Sequence, residues 1–247
     1  MRYFEAHEAI YARRLAAGAE GWDDGAYDDC ALREQVKTWL AAPPVAKPGG
    51  RVLELGCGTG ALACRLATLG FAVTGLDISE SAIAFARARA GERGLPVRFE
   101  VADACTWRPH GQPFDVVIDS HLLHCIVRPA ECRQVLERVA DCLTPDGEFW
   151  TETMAIGTGM QDTPTRRLDP DGIVWAATPD PSRCCDAVRN AAGWWMPMRY
   201  IAPTAESLLE EFRSAGLDVI EWHLAPPSVF GEAADFRARL RRHRDAG

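Results

Sequence analysis

A doubly wound α/β fold, on a seven-stranded and mostly parallel sheet with helices on both faces, is the architecture this sequence predicts. Three observations carry it. Between residues 51 and 153 short apolar runs alternate with stretches of helical period, the grammar of βαβ units. The first of these runs ends in a glycine-rich turn that opens a helix. The 247 residues, 47% apolar and 25% charged, suit one large domain with a sizeable core.

Each element follows in order. Residues 3–20 carry a helical stripe of Phe4, His7, Ile10, Tyr11 and Leu15, and a turn follows at 21–25. A second helix is expected over 29–40, with Leu32, Val36, Trp39 and Leu40 inward, before Pro43, Pro44 and Pro48 break the chain. Strands are expected at 51–55, 71–77, 97–101, 114–119 and 147–153. Helices between them should cover 60–69, 79–90 and 130–143, with Ser79 as an N-cap. Residues 154–200 break this rhythm with Gly, Pro and Asp clusters and read as a lid or insertion after the fifth strand. The rhythm returns with a helix at 204–215 and a strand at 217–224. In 234–242, Phe236, Ala238 and Leu240 alternate with arginines, which suits a half-exposed strand; a short Arg-rich helix is the other reading.

Composition limits the function. The net charge is −8, so a general polyanion binder is not expected, and no nucleic-acid partner is. No apolar run reaches membrane-spanning length, and the first 20 residues lack the apolar region of a signal peptide, so the expected place is the cytoplasm, away from membranes. The nine cysteines form no C-x-x-C pair, and most lie in apolar patterns, as small buried hydrophobes do. Only Cys184 and Cys185 stand in a polar, loop-like setting.

The strongest chemical signal is VLELGCGTG at 52–60. A glycine-lined turn lets a ligand lie against bare backbone, and the helix behind it adds free N–H groups and positive dipole. The spacing of Gly56, Gly58 and Ala61 also matches a dinucleotide fingerprint, and Asp77 after the second strand suits the ribose of either cofactor. Glu54 favours a cationic ligand over a pyrophosphate. Asp103 follows the third strand, where an adenine edge would lie, and a turn at 143–147 leads into the fifth strand.

With GLDIS at 75–79, VADA at 101–104, FDVVIDSHLLHCI at 114–126 and LTPDGEF at 143–149, the chain resembles the class I S-adenosylmethionine-dependent methyltransferases over about residues 50–150. The resemblance implies a Rossmann-like single methyltransferase domain: a helical cap at 1–48, a cofactor-binding core at 49–153, a lid or acceptor insertion at 154–202, and completion of the sheet at 203–247. It implies S-adenosyl-L-methionine as cofactor, with Gly56, Gly58 and Gly60 around its methionine part and Glu54 contributing there. Asp77 would take the ribose hydroxyls, Ile78 would lie against the adenine, and Asp103 with the Ala104 N–H would bind the adenine edge. Asp119 would face the methionine end.

Methyl transfer needs a nucleophile aligned with the methyl and water kept out. His121 leaves the fourth strand where an acceptor must approach and is the candidate base, with His124 beside it. A metal site built on this His-x-x-His-Cys run lacks further ligands, and none is expected. The small-molecule acceptor should meet aromatics of the cap and insertion: Tyr3, Tyr11, Trp22 and Tyr27 from the first, Trp175, Trp194, Trp195, Met196, Met198 and Tyr200 from the second. Trp22, Trp195 and Tyr200 are the candidates for contact. Alternatively Arg166, Arg167, Arg183, Arg189 and Arg199 hold an acidic acceptor. A soft thiol or metalloid acceptor on Cys184 and Cys185, an NAD-linked oxidoreductase and a non-catalytic cofactor binder are the other readings.

Overall fold

The structure is a computed structural model that describes residues 4, 6–22, 33–41, 47–109, 111–155, 160, 162–225 and 233–243. Tyr3, Tyr27, Cys30, the start of the second expected helix and the side chain of Arg183 lie outside the described residues.

Two helices precede the sheet, α1 (Ala6–Ala16) and α2 (Arg33–Ala41). The core then runs β1 (Arg51–Leu55), α3 (Ala61–Thr68), β2 (Ala72–Asp77), α4 (Glu80–Glu92), β3 (Arg98–Val101), β4 (Phe114–Ser120), α5 (Pro129–Cys142) and β5 (Leu143–Ala155). The insertion contributes β6 (Arg166–Leu168), β7 (Ile173–Ala177), β8 (Val188–Asn190) and β9 (Gly193–Tyr200). The chain closes with α6 (Ala205–Ser214), β10 (Leu217–Ala225) and β11 (Ala234–Arg242).

The main sheet has seven strands in the order β10-β11-β5-β4-β1-β2-β3. The β1–β2, β1–β4, β2–β3 and β4–β5 pairs are parallel. β11 runs antiparallel to both of its neighbours. Strand order reverses between β1 and β4, whose carboxyl ends lie side by side with Leu55 opposite Asp119. That crevice is where open α/β sheets bind ligands.

Sequence periodicity places the two faces. Val52, Val73, Val116, Ile118 and Trp150 pack against α2, α3 and α4, whereas Leu53, Leu55, Leu76, Val117 and Phe149 pack against α5 and α6. Trp39 of α2 meets Trp150 at 5.6 Å between ring centroids, which docks α2 on the first face. Ser79 caps α4 as the sequence predicts, its hydroxyl accepting from the Ala82 N–H at 3.1 Å. Thr204 and Ser207 form a capping box at the start of α6.

Three expectations change. The fifth strand begins at Leu143 rather than 147, and residue 115 opposes residues 144–147, so the expected turn is looped out inside β5. Residues 163–200, expected as an insertion with no strands assigned, form a second, four-stranded antiparallel sheet in the order β6-β7-β9-β8. The segment 234–242 is a strand, yet not a half-exposed one. It lies between β10 and β5, and its arginine face is covered by ion pairs: Arg239 binds Glu148 through two hydrogen bonds of 2.8 and 2.7 Å, and Arg237 binds Glu152.

Candidate active site

The glycine turn after β1 is built for left-handed backbone. Gly56 and Gly58 have φ of +67° and +51°, which a side chain would strain. The missing Cβ atoms also make room for protein. A Cβ on Gly56 would lie 2.9 Å from Leu122 Cβ, and one on Gly58 would lie 2.5 Å from the Tyr11 hydroxyl. The turn is therefore not simply bare backbone: Tyr11 of α1 crosses it, and Leu122 packs from the exit of β4. Gly60 meets the Phe99 ring in the same way.

Acidic groups ring this turn. Glu54 is 3% exposed and its Oε2 has no hydrogen-bond partner. Burial pushes its pKa up to about 8, with the Ala63 backbone opposing and the Asp77 charge adding. Asp77 accepts the Gly58 N–H at 2.8 Å through Oδ2 and the Ser79 N–H at 2.9 Å through Oδ1. Burial raises its pKa and these hydrogen bonds pull it back. Ile78 is half-buried beside it. Asp103 caps its own turn, accepting the Cys105 N–H at 2.8 Å, and Ala104 is half-buried next to it.

Asp119 does not serve as expected. It is fully buried, and its carboxylate accepts the Leu122 and Leu123 N–H groups at 2.7 and 3.2 Å and the Thr151 hydroxyl at 2.6 Å. Burial raises its pKa to about 6 against those bonds. Its oxygens are taken up by the short 3-10 turn at Leu123–Cys125, so it positions the exit of β4 rather than presenting itself to a ligand.

That exit holds the candidate base. His121 has φ of +65°, the one non-glycine residue in the left-handed region among the described residues. Such backbone persists only where surroundings impose it. The His121 Nε2 lies 2.7 Å from Glu152 Oε1, an ion-pair contact rather than a well-directed hydrogen bond. Glu152 is fully buried, and its other oxygen takes Arg237 Nε. Burial lowers the His121 pKa, but Glu152, Asp235 and Asp119 outweigh it and the net shift is upward. Burial likewise raises Glu152, and His121 and Arg237 bring it down. The sequence reading missed Glu152 and Arg237. The available signal was Glu148 and Glu152, two carboxylates in a strand buried on both faces, opposite a row of arginines.

Cap and insertion converge on this exit. Trp22 stands edge-on to His7 and Tyr11, at 5.3 and 5.4 Å between centroids. His124 is buried beside His121, with ring centroids 5.4 Å apart. Its Nε2 accepts from Arg199 of β9 at 3.1 Å. Phe4, Ala187 and Met196 pack with Val127 and Cys184 in one apolar cluster that joins the two pieces.

Trp195 and Tyr200 do not join them. Trp195 donates its indole N–H to Asn190 at 3.0 Å and lies under the Arg167 guanidinium at 4.6 Å, so it braces the small sheet. The Tyr200 hydroxyl donates to Glu211 of α6 at 2.6 Å and its ring belongs to the α5–α6 core. Cys184 is buried in the apolar cluster while Cys185 is exposed. Successive side chains of extended backbone point apart, so the two thiols do not converge on one soft atom. Among the described residues no group of three or more His, Cys, Asp or Glu could hold a metal ion. No helix of the described residues is long and apolar enough to cross a membrane.

Comparison with known proteins bears on this geometry. Residues 52–147 match a methyltransferase domain family. The chain is 33% identical over 160 residues to a ubiquinone biosynthesis O-methyltransferase of Caulobacter vibrioides, covering 59% of this chain and 62% of that protein. It thus spans less than two thirds of the length of the first curated relatives it matches. Among solved structures, the CcbJ methyltransferase of Streptomyces caelestis superposes with a TM-score of 0.66 over 99% of both chains at 19% identity. A structure described as the conversion of a disulfide bond into a thioacetal group during echinomycin biosynthesis is 26% identical, with a TM-score of 0.57 over 97% of this chain and 93% of that one. Residues 52–147 thus match a methyltransferase domain, and the chain around them has the fold of solved S-adenosylmethionine-dependent methyltransferases.

Proposed function

We propose that this protein transfers a methyl group from S-adenosylmethionine to a hydroxyl of a small-molecule acceptor, with His121 taking the proton. The pairing of His121, at the carboxyl end of the switch-point strand β4, with the buried Glu152 of β5 carries this reading. The residues present fit the cofactor. Glu54 offers an unpartnered buried carboxylate oxygen beside the glycine turn, suited to a cationic ammonium group. Asp77 and Asp103 lie at the ends of β2 and β3, where the ribose and adenine contacts are expected. Bound there, S-adenosylmethionine would supply an electrophilic methyl group.

The chain supplies the rest. Glu152 holds the His121 ring through Nε2 and favours its protonated form, which makes the ring a stronger base. The proton of the attacking hydroxyl would pass to His121 Nδ1, and Arg237 keeps Glu152 ionised throughout. Tyr11, Trp22 and the Phe4 cluster keep water from the site.

The test is release of S-adenosylhomocysteine over a panel of small hydroxyl, amine and thiol compounds. Hydroxyl acceptors should turn over, and His121→Ala should lose roughly 10²- to 10⁴-fold in kcat while still binding S-adenosylhomocysteine. The acid limb of kcat/KM should have its midpoint above the ordinary histidine value, and Glu152→Gln should move it down. Undiminished turnover by His121→Ala would refute the role.

A further inference from the structure

Nitrogen-bearing side chains gather on one side of the site. Glu54 and Asp77 lie at the glycine turn, whereas Arg199, His7, His124 and His121 gather where cap and insertion meet, with Glu152, Asp235 and Asp119 facing His121. Of this second group His7 and His124 are held neutral and His121 is paired with the buried Glu152, so Arg199 supplies the charge and the histidines supply hydrogen-bonding nitrogen.

Its geometry is specific. A guanidinium only donates, so at 3.1 Å from Arg199 the His124 Nε2 must accept, and the ring's one proton sits on Nδ1. That Nδ1 is buried and has no partner. A buried N–H without an acceptor is destabilising, and an incoming oxygen would relieve it. Burial, with the charges of His121, Arg199 and His7, keeps His124 neutral. Burial and Arg199 likewise hold His7 down to about 4. His121 is 5.4 Å from His124 between ring centroids, and Trp22 lies edge-on to His7. Hydrogen-bond donors, the candidate base and an aromatic ring thus lie together at the exit of β4.

We propose that the acceptor is an aromatic hydroxy acid whose carboxylate is held by Arg199 and the His124 Nδ1–H, with its hydroxyl toward His121 and its ring toward Trp22. This rests on the reading of the protein as a methyltransferase and adds the charge class of its acceptor. The Arg199 guanidinium supplies the charge and the neutral His124 imidazole a second donor, a pair that suits a carboxylate better than a neutral amide.

The experiment titrates the protein's complex with S-adenosylhomocysteine, by calorimetry, with the three hydroxybenzoates and the three matching hydroxybenzamides. At least one hydroxybenzoate should bind, and its amide should bind at least tenfold more weakly. Arg199→Gln should weaken the acid by roughly ten- to hundredfold and leave the amide within about twofold. Arg199→Lys should fall between, since it keeps charge without the planar fork. The acid-to-amide ratio is the deciding readout, because general loss of folding would weaken both arms alike. Equal binding of acid and amide, an unchanged ratio in Arg199→Gln, or no binding of any acid would overturn the proposal. Turnover is scored separately. An acid that binds but yields no methylated product would sink methyl transfer and leave the anion site standing; amides methylated as well as acids would do the reverse.

Discussion

A carboxyl whose pKa is raised to about 8, as Glu54's is, stays protonated at pH 7 unless a cation meets it. Its folded value lies above the ordinary 4.5, so the folded chain binds more protons than the unfolded one, and stability falls as pH rises from about 4.5 to about 8. Glu54→Gln removes that loss. The variant should melt higher than the parent at pH 8 and nearly alike at pH 4, while binding S-adenosylhomocysteine more weakly. Binding at pH 7 should release up to one proton from the parent and none from Glu54→Gln, read as the dependence of calorimetric heat on buffer ionisation enthalpy. Equal proton release by both would remove Glu54 from the ligand's surroundings. Asp77 is a poorer probe. Its carboxylate carries two backbone N–H groups, so Asp77→Ala would unsettle the turn by about 1–3 kcal/mol for each group stranded, besides removing any ribose contact.

At the scale of elements, Glu8 latches α1 to the start of α4. Glu8 accepts the Ser79 hydroxyl at 2.6 Å, the Ser81 hydroxyl at 2.5 Å and the Ser81 N–H at 3.2 Å, at the N-terminus of α4. Burial raises the Glu8 pKa, but those bonds outweigh it and the net shift is downward. The latch therefore holds above the ordinary glutamate value and fades as pH falls through the lowered one. Because Ser79 is also bound by Asp77, Glu8→Ala should loosen the ribose side of the site. Stopped-flow displacement should show S-adenosylhomocysteine leaving several-fold faster, and an unchanged off-rate would count against the latch. None of this was legible in the sequence, where Glu8 is one acidic residue in a helix and Ser79 an ordinary cap. The main-sheet strands were legible because short apolar runs such as 114–119, bounded by turn residues and alternating with helical stretches, fit strands buried on both faces. The small sheet was not. Its strands of three to eight residues mix Trp, Arg and Pro, and their pairing depends on partners up to tens of residues away. Trp195 and Tyr200 misled for a related reason: an aromatic ring in an insertion signals burial, and only the pairing shows which side it faces. Arg199 could be placed at His124 only once the β7–β9 register set its direction.

On the whole molecule, the cap and the insertion act as two halves of one cover. The cap reaches the glycine turn through Tyr11, and reaches its neck through Thr59, whose hydroxyl donates to the Glu20 carbonyl at 2.6 Å. Arg89 is 4% exposed and clasps Thr59 and Glu20 together. The insertion reaches the β4 exit through Arg199 and His124, and meets the cap at Phe4, Met196 and Ala187. A ligand lying along the glycine turn would be enclosed by these contacts, and its exchange would then require the cap to lift. Lifting breaks the small Phe4 cluster first, since that cluster buries few side chains compared with either sheet face. Opening should therefore be frequent without ligand, and binding should suppress it by mass action. In hydrogen exchange, amides at 6–22 and 193–200 should gain protection together when S-adenosylhomocysteine binds, and the turn at 121–125 should slow with them. Adding a bound acceptor should deepen the effect at 193–200, where Arg199 lies. The central strands β1, β4 and β5 should not change, because they open only with global unfolding. Protection limited to 52–60, 77–79 and 103–104 would mean that neither piece closes over the site, and the rings of Tyr11 and Trp22 would then be packing alone.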